Sequence, residues 1–227
     1  PTAFKMAWAA ADRNFVRADR MTTPTRKAAE YLEANTSIND VLAISCGLHV
    51  NRYRSTLEPK PTNEIVFLGR VVEEKRIDVL IRALATLDPA LDATLTILGG
   101  GDQLERMKQL AARLKVSDRI RFAGFVDDEE KLEVLGRATV FAMPSIAELQ
   151  SISTMEAMAS GLPIVAANAM ALPHLMHDGE NGFLFEPGDV ADLAAKLERV
   201  LRMPRDDYVA MQRESLEIVQ GHDIERT

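Results

Sequence analysis

An α/β fold, a Rossmann-like doubly wound parallel sheet, is predicted for residues 64–203 by three features of the sequence. Six short apolar runs recur there, at 65–68, 94–98, 120–122, 140–143, 164–166 and 183–185. Helical stretches lie between or after them, near 76–87, 103–115, 129–137, 152–160 and 190–202. Apolar strands alternating with helices at this rhythm mean a parallel sheet covered on both faces. Ligands of such sheets bind beyond the carboxyl ends of the strands.

Taken in order, residues 5–19 carry a helical pattern, followed by an extended piece at 20–23. Pro24 suits the first turn of a second helix running to Asn35. The apolar run VLAIS at 41–45 reads as a short buried strand. Residues 46–63 hold Pro59 and Pro61, many polar residues and no periodicity, which suits an interdomain linker. Within the α/β region, the gap between Ala166 and Phe183 carries at most a turn of helix around 173–176. Residues 204–227 form a C-terminal helical segment. The chain starts at Pro1 without a methionine and stops at Thr227 just after a helical pattern, so it is read as a piece of a longer protein.

Composition narrows the function classes. Hydrophobic residues at 47% and charged residues at 27% are ordinary for a soluble globular protein. A formal net charge of −7 argues against a general nucleic-acid binder, which needs a basic face. No apolar run approaches the roughly 18 residues that span a bilayer, and no signal peptide is visible. The single cysteine, Cys46, excludes an internal disulfide framework and fits a reducing, cytoplasmic compartment.

The residues just beyond each strand carry the chemistry. The first run ends in Gly69 and Arg70, with Lys75 five residues on. The second ends in Gly99, Gly100, Gly101 and Asp102, and the third in Gly124, Phe125 and Val126. After the fourth comes PSIAELQSISTMEAMASGLP over 144–163, with Glu148 in a turn and Glu156 in a short helix. Arg70 and Lys75 are placed to meet an anion, one as a planar fork and one as a mobile point charge, or else are ordinary surface cations. The helix opening after Ser151 adds free N–H groups and a positive dipole end. The three glycines admit a close approach of backbone to phosphate or sugar, or form a plain turn. They do not complete a dinucleotide fingerprint, because Leu104 stands where its last glycine belongs.

Helical spacing predicts an apolar stripe of Ile152, Met155 and Ala159, with Glu156 about 40° from Ile152 and so inside it. A carboxylate there needs a partner or a wet cleft; alternatively Ser153 and Glu156 form a capping box. His174 and His177 lack a third zinc ligand nearby in sequence. The acidic run from Asp127 to Glu130 suits a dipole-favoured helix start. Trp8 reads as a packing residue, and Cys46 has no evident catalytic partner.

These motifs together resemble the C-terminal, donor-binding half of a retaining, family-4 (group 1) glycosyltransferase with the GT-B fold. The resemblance runs from about residue 20 to 203. It is carried by FLGRVVEEK over 67–75, LTILGGGD over 95–102, the Glu-x7-Glu pair Glu148 and Glu156, and DGENGFLFEPGD over 178–189. It implies that residues 1–45 are a remnant of an acceptor-side Rossmann domain, 46–63 the linker and 64–203 the nucleotide-sugar domain. Arg70 and Lys75 would bind the donor diphosphate and Glu148 the transferred sugar, these three being the catalytic set. Glu156 would accept from the ribose hydroxyls. Backbone at Gly69, Gly99, Gly100, Gly101, Gln150, Ser151 and Ile152 would line the donor, with Val126 beside the base.

The implied substrate is a UDP- or GDP-sugar, with transfer of a hexose to an α-linked product and no cofactor or metal. The implied partners are a sugar, lipid or glycan acceptor and the missing N-terminal domain, which could bring the protein to the inner face of a bacterial membrane for carbohydrate or glycolipid synthesis. Half of a cleft would leave this chain weak or inactive by itself. Where the family often has glycine, this chain has Ser151, and its linker reads Gly47, Leu48, His49 instead of Gly-Val-Asp. A GT-B sugar-nucleotide epimerase and a non-catalytic nucleotide-binding module remain as alternatives.

Overall fold

The computed structural model describes residues 2–15 and 17–226. The sheet contains β3 (Glu64–Leu68), β4 (Thr94–Leu98), β5 (Ile120–Gly124), β6 (Val140–Met143), β7 (Ile164–Ala167) and β8 (Gly182–Phe185). All pairings are parallel, in the order β5-β4-β3-β6-β7-β8. The chain thus runs outward from β3 to β5, then returns to place β6 against β3. That reversal is the topological switch point of a doubly wound sheet, where the crevice opens at the carboxyl strand ends.

Right-handed crossovers put helices on opposite faces as the winding direction reverses. α3 (Ile77–Thr86) packs against α4 (Leu104–Arg113) and α8 (Val190–Leu201), while α6 (Ile152–Ala159) packs against α9 (Arg205–Gln220). α5 (Asp128–Arg137) lies against β3, and α7 (Leu172–Leu175) is the short turn expected near 173–176. With both faces covered, β6 and β7 are buried at every residue. Burying Phe67, Phe141, Phe183 and Phe185 completely contributes about 1.5–3 kcal/mol each. α9 is tied to the sheet by Tyr208, whose Oη donates to the Thr139 carbonyl at 2.8 Å, and by Ser215, whose Oγ donates to the Leu162 carbonyl at 2.8 Å.

The N-terminal part departs from expectation. α1 spans Thr2–Phe15, ending short of residue 19; Val16 lies outside the described residues. α2 begins at Arg26 and not at Pro24, because Thr25 caps it by accepting from the Ala28 N–H at 3.3 Å. Trp8 packs edge-on against Tyr31 at 5.7 Å. The expected buried strand at 41–45 is only β2 (Leu42–Ala43), paired with β1 (Thr22–Thr23), and Leu42 and Ile44 are exposed. Val41 is buried, but both residues of β2, Leu42 and Ala43, are exposed, so β2 has no alternating covered face.

Residues 46–63 are more closely docked than a free linker. Leu48 and Val50 join the core, and a 3₁₀ turn forms at Val50–Arg52. Leu48 also pairs with the segment after α9: its N–H donates to the His222 carbonyl at 2.9 Å and its carbonyl accepts from the Ile224 N–H at 3.0 Å. Among the described residues no helix is long and apolar enough to cross a membrane.

Candidate active site

Beyond their last strand residues, β3, β4 and β5 continue to approach one another. The Gly69 N–H donates to the Leu98 carbonyl, the Val71 N–H to the Gly100 carbonyl, each at 2.9 Å, and the Gly99 N–H to the Gly124 carbonyl at 2.7 Å. A side chain at Gly99 would put its Cβ 2.0 Å from the Gly69 carbonyl oxygen, and one at Gly101 would come 2.3 Å from that of Val71. Contact between the two loops therefore already demands glycine at both positions, with no ligand required to explain them. The two loops form the floor of the crevice.

Its centre is an ion pair across the switch point. After β3 the chain makes a 3₁₀ turn at Glu73–Lys75, and the loop after β6 is laced to it: the Ile146 N–H donates to the Glu74 carbonyl at 3.0 Å. This brings the Lys75 ammonium onto Glu148 Oε1, with only 13% and 8% of the two side chains exposed. Lys75 thus meets a carboxylate, where an anionic ligand alone was expected. Arg70 stays at the surface, its guanidinium 3.4 Å from Glu74, a loose i,i+4 contact that leaves the fork free to turn toward an anion.

The start of α6 closes the second side. Ser151 adopts the left-handed conformation, φ +63°, at the position where the family often has glycine. Its hydroxyl shares a hydrogen bond with Thr154 Oγ1 at 2.8 Å and does not cap the backbone. Helix hydrogen bonding begins at the Thr154 and Met155 N–H groups, which both return to the Ser151 carbonyl. The N–H groups ahead of them, at Ile152 and Ser153, have no partner inside the helix and present a positive end.

The predicted stripe is corrected: Ile152 is 49% exposed, while Thr154, Met155, Met158 and Ala159 are buried. Ile152 is the first residue of α6, at the open end of the helix. Glu156 lies at the edge of the buried face, and its carboxylate forms no capping box. Glu156 Oε1 accepts from Tyr53 Oη at 2.7 Å and from Lys131 Nζ at 2.8 Å.

Gln150 is buried between two segments. Its Oε1 accepts from the Cys46 N–H at 2.8 Å, and its Nε2 donates to Ser45 Oγ, which lies 2.9 Å from His222 Nδ1. Burial holds the His222 imidazole below its ordinary pKa. Ser45 Oγ accepts from Gln150 and has its own proton available for Nδ1, a direction that favours neutral His222.

Val126 is half-buried at the end of β5, and its neighbour Phe125 is 87% exposed, lying over Gly100. Leu149 and Met170 are also exposed. Asp127 caps α5 by accepting from the Glu130 N–H at 2.9 Å, so the acidic run serves the helix start as expected. His174 has no part in a ligand cluster among the described residues. His177 does meet Glu180 at 3.2 Å and Glu214 at 3.3 Å, three side chains whose ligand atoms lie within 4.8 Å of one another. Exposed contacts of this kind contribute little.

Tyr53, Lys131 and the Ser45 and His222 contacts of Gln150 were not legible. Lys131 and Tyr53 stand 25 and 103 residues from Glu156, and no local spacing links them. By fold and crevice this is a doubly wound domain with a cation, paired carboxylates and a helix start gathered at its switch point. The model for glycosyl transferases group 1 matches residues 51–216, and the chain belongs to that family.

Phosphatidyl-myo-inositol mannosyltransferase of Mycobacterium leprae is 35% identical over 187 residues, covering 78% of this chain and 49% of that protein. D-inositol 3-phosphate glycosyltransferase of Streptomyces avermitilis is 38% identical over 152 residues, covering 63% of this chain and 32% of that one. The chain spans about half or less of the length of these curated relatives. The structure of Anabaena Alr3699/HepE in complex with UDP and glucose superposes with a TM-score of 0.87 at 22% identity, over 97% of this chain and 64% of that chain. The architecture, a six-stranded parallel sheet flanked by helices, matches a domain of GT-B glycosyltransferase structures.

Proposed function

We propose that this chain is the donor-binding part of a retaining glycosyltransferase that moves a hexose from a UDP- or GDP-sugar to an acceptor hydroxyl. In this function residues 1–45 belong to the acceptor-side domain, 46–63 join the two, and 64–203 hold the donor. The observation that carries it is the Lys75–Glu148 pair, enclosed at the switch point where such sheets bind ligands. Arg70 and Lys75 take the diphosphate, the N–H groups at the start of α6 assist, Glu148 meets the transferred sugar, and Glu156 accepts from the ribose hydroxyls. The Anabaena structure's complex with UDP and glucose supports a uridine donor.

Lys75 supports the leaving diphosphate by charge, and the same charge holds the Glu148 carboxylate ready for the sugar's hydroxyls. Calorimetry of this chain with UDP and with GDP tests the diphosphate assignment. One of them should bind, and Arg70→Ala should weaken it about tenfold or more, as expected for a hydrogen bond to a charged group. Unchanged affinity in Arg70→Ala would sink the assignment. Glu148→Ala should abolish transfer by the full-length enzyme while leaving nucleotide affinity within about threefold, less than one typical hydrogen bond. Epimerisation of the donor in the absence of any acceptor would overturn the transferase function.

A further inference from the structure

Glu156 belongs to a closed ring of polar side chains, and two of its members come from residues 46–63. Arg52 donates to Asp128 Oδ2 at 2.7 Å, and Lys131 Nζ reaches Asp128 Oδ1 at 3.1 Å. Lys131 also donates to Glu156 at 2.8 Å, Glu156 accepts from Tyr53 at 2.7 Å, and the peptide bond from Arg52 to Tyr53 closes the circuit. The ring holds two cations, two carboxylates and one phenol, so its formal charge is zero.

Both donors to Glu156 use the same oxygen, Oε1. Oε2 has no protein donor among the described residues, and 13% of the side chain remains exposed. One oxygen is fixed and the other is presented. Such a carboxylate accepts from a neutral hydroxyl pair without paying side-chain ordering on binding. Tyr53 Oη donates its proton here, since a carboxylate can only accept; burial first, then this bond, hold the phenol well above its ordinary range. For Lys131, burial works against the charge, and the bonds to Glu156 and Asp128 outweigh it, leaving its pKa raised. Neither donor is lost near neutral pH.

We infer that Tyr53 and Lys131 are positioning residues that aim Glu156 at the donor's ribose diol, so that residues 46–63 determine discrimination between ribo- and deoxynucleotides. This rests on the donor site proposed above. The orienting hydroxyl lies in the segment proposed to join the two domains, so movement of that segment would be felt at the sugar of the nucleoside before the diphosphate.

The test measures affinities for UDP and GDP and for their 2′,3′-dideoxy analogues by calorimetry, on the wild-type chain, Tyr53→Phe and Lys131→Met. The wild type should prefer the ribonucleotide by about tenfold or more, the scale of hydrogen bonds to a charged group. In each variant the ribonucleotide should weaken about three- to tenfold while the dideoxy analogue changes less than twofold, so that the preference collapses. Equal weakening of both ligands would show a general structural role and overturn the inference, as would an unchanged preference in Tyr53→Phe; both leave the donor site standing. If neither nucleotide binds the wild type, the donor site itself fails and the inference with it. Tyr53→Phe removes one hydroxyl and keeps the ring, so its result decides should Lys131→Met fail to fold.

Discussion

Replacing Lys75 by methionine keeps the length of the side chain and removes the charge that faces Glu148. The pair's attraction, at about 3 Å and an effective dielectric near 20, is roughly 5 kcal/mol. Desolvation of two largely buried ions costs a similar amount, so the intact pair contributes little net stability. Removing the cation alone leaves the penalty in place. A buried carboxylate stranded in this way is strongly destabilising, by about 3–5 kcal/mol for a broken buried pair. The predicted loss for Lys75→Met lies at the lower end of that range, about 3–4 kcal/mol at pH 7, since both side chains keep some exposure. For a domain of this size that lowers the melting temperature by roughly 6–15 °C. The double variant Lys75→Met with Glu148→Gln should regain most of the loss at pH 7. Thermal melts of the wild type and the two variants at pH 7 decide it. A single variant that melts within 2 °C of wild type at pH 7, or a double variant no more stable than the single, would refute the reasoning.

Features away from the pair give further expected outcomes. Because His222 is held below its ordinary pKa, the folded state resists its protonation. Stability from this group is complete above about pH 6.5 and is lost as pH falls through the lowered folded value, so melts between pH 8 and 5 should show a decline that His222→Asn flattens. Gly99→Ala, with φ +125° and a Cβ 2.0 Å from a carbonyl oxygen, should cost about 3 kcal/mol or more in urea titrations. Gly136→Ala, inside α5 with nothing within 4 Å of the new methyl, should gain about 0.5–1 kcal/mol.

The sheet was legible because its strands are largely apolar, β6 and β7 at every residue, and burial on two faces is what such runs require. All six lie where the pattern puts them, to within two residues at each end. The crevice was legible as an edge, because the strand ends with unusual residues all belong to one side of a parallel sheet. Its internal partnerships were not. Lys75 and Glu148 are 73 residues apart, and only the return of β6 beside β3 brings them together. Gly99 and Gly101 illustrate an ambiguity of type: glycine marks a close approach, and the sequence does not say whether the approaching group is a ligand or the next loop. Ile152 misled because helical spacing gives a residue's angle and not its depth: it is the first residue of α6, at the open end of the helix. At residues 41–45 apolar character stood in for burial, and a two-residue strand paired only with β1 leaves both of its own side chains exposed.

The contact of Leu48 with residues 222–224 has a consequence for how this domain can be handled as a unit. Its first and last residues lie side by side, and a side chain at Gly47 would collide with Ile224, 2.6 Å from its Cα. A module whose two boundaries meet can be spliced into another chain, or have its ends joined and new ones opened, without straining the sheet between them. The cut to avoid is the one that trims the short stretch beyond Gln220 as a tail: it would remove the clasp that fastens the entrance of the domain to its exit.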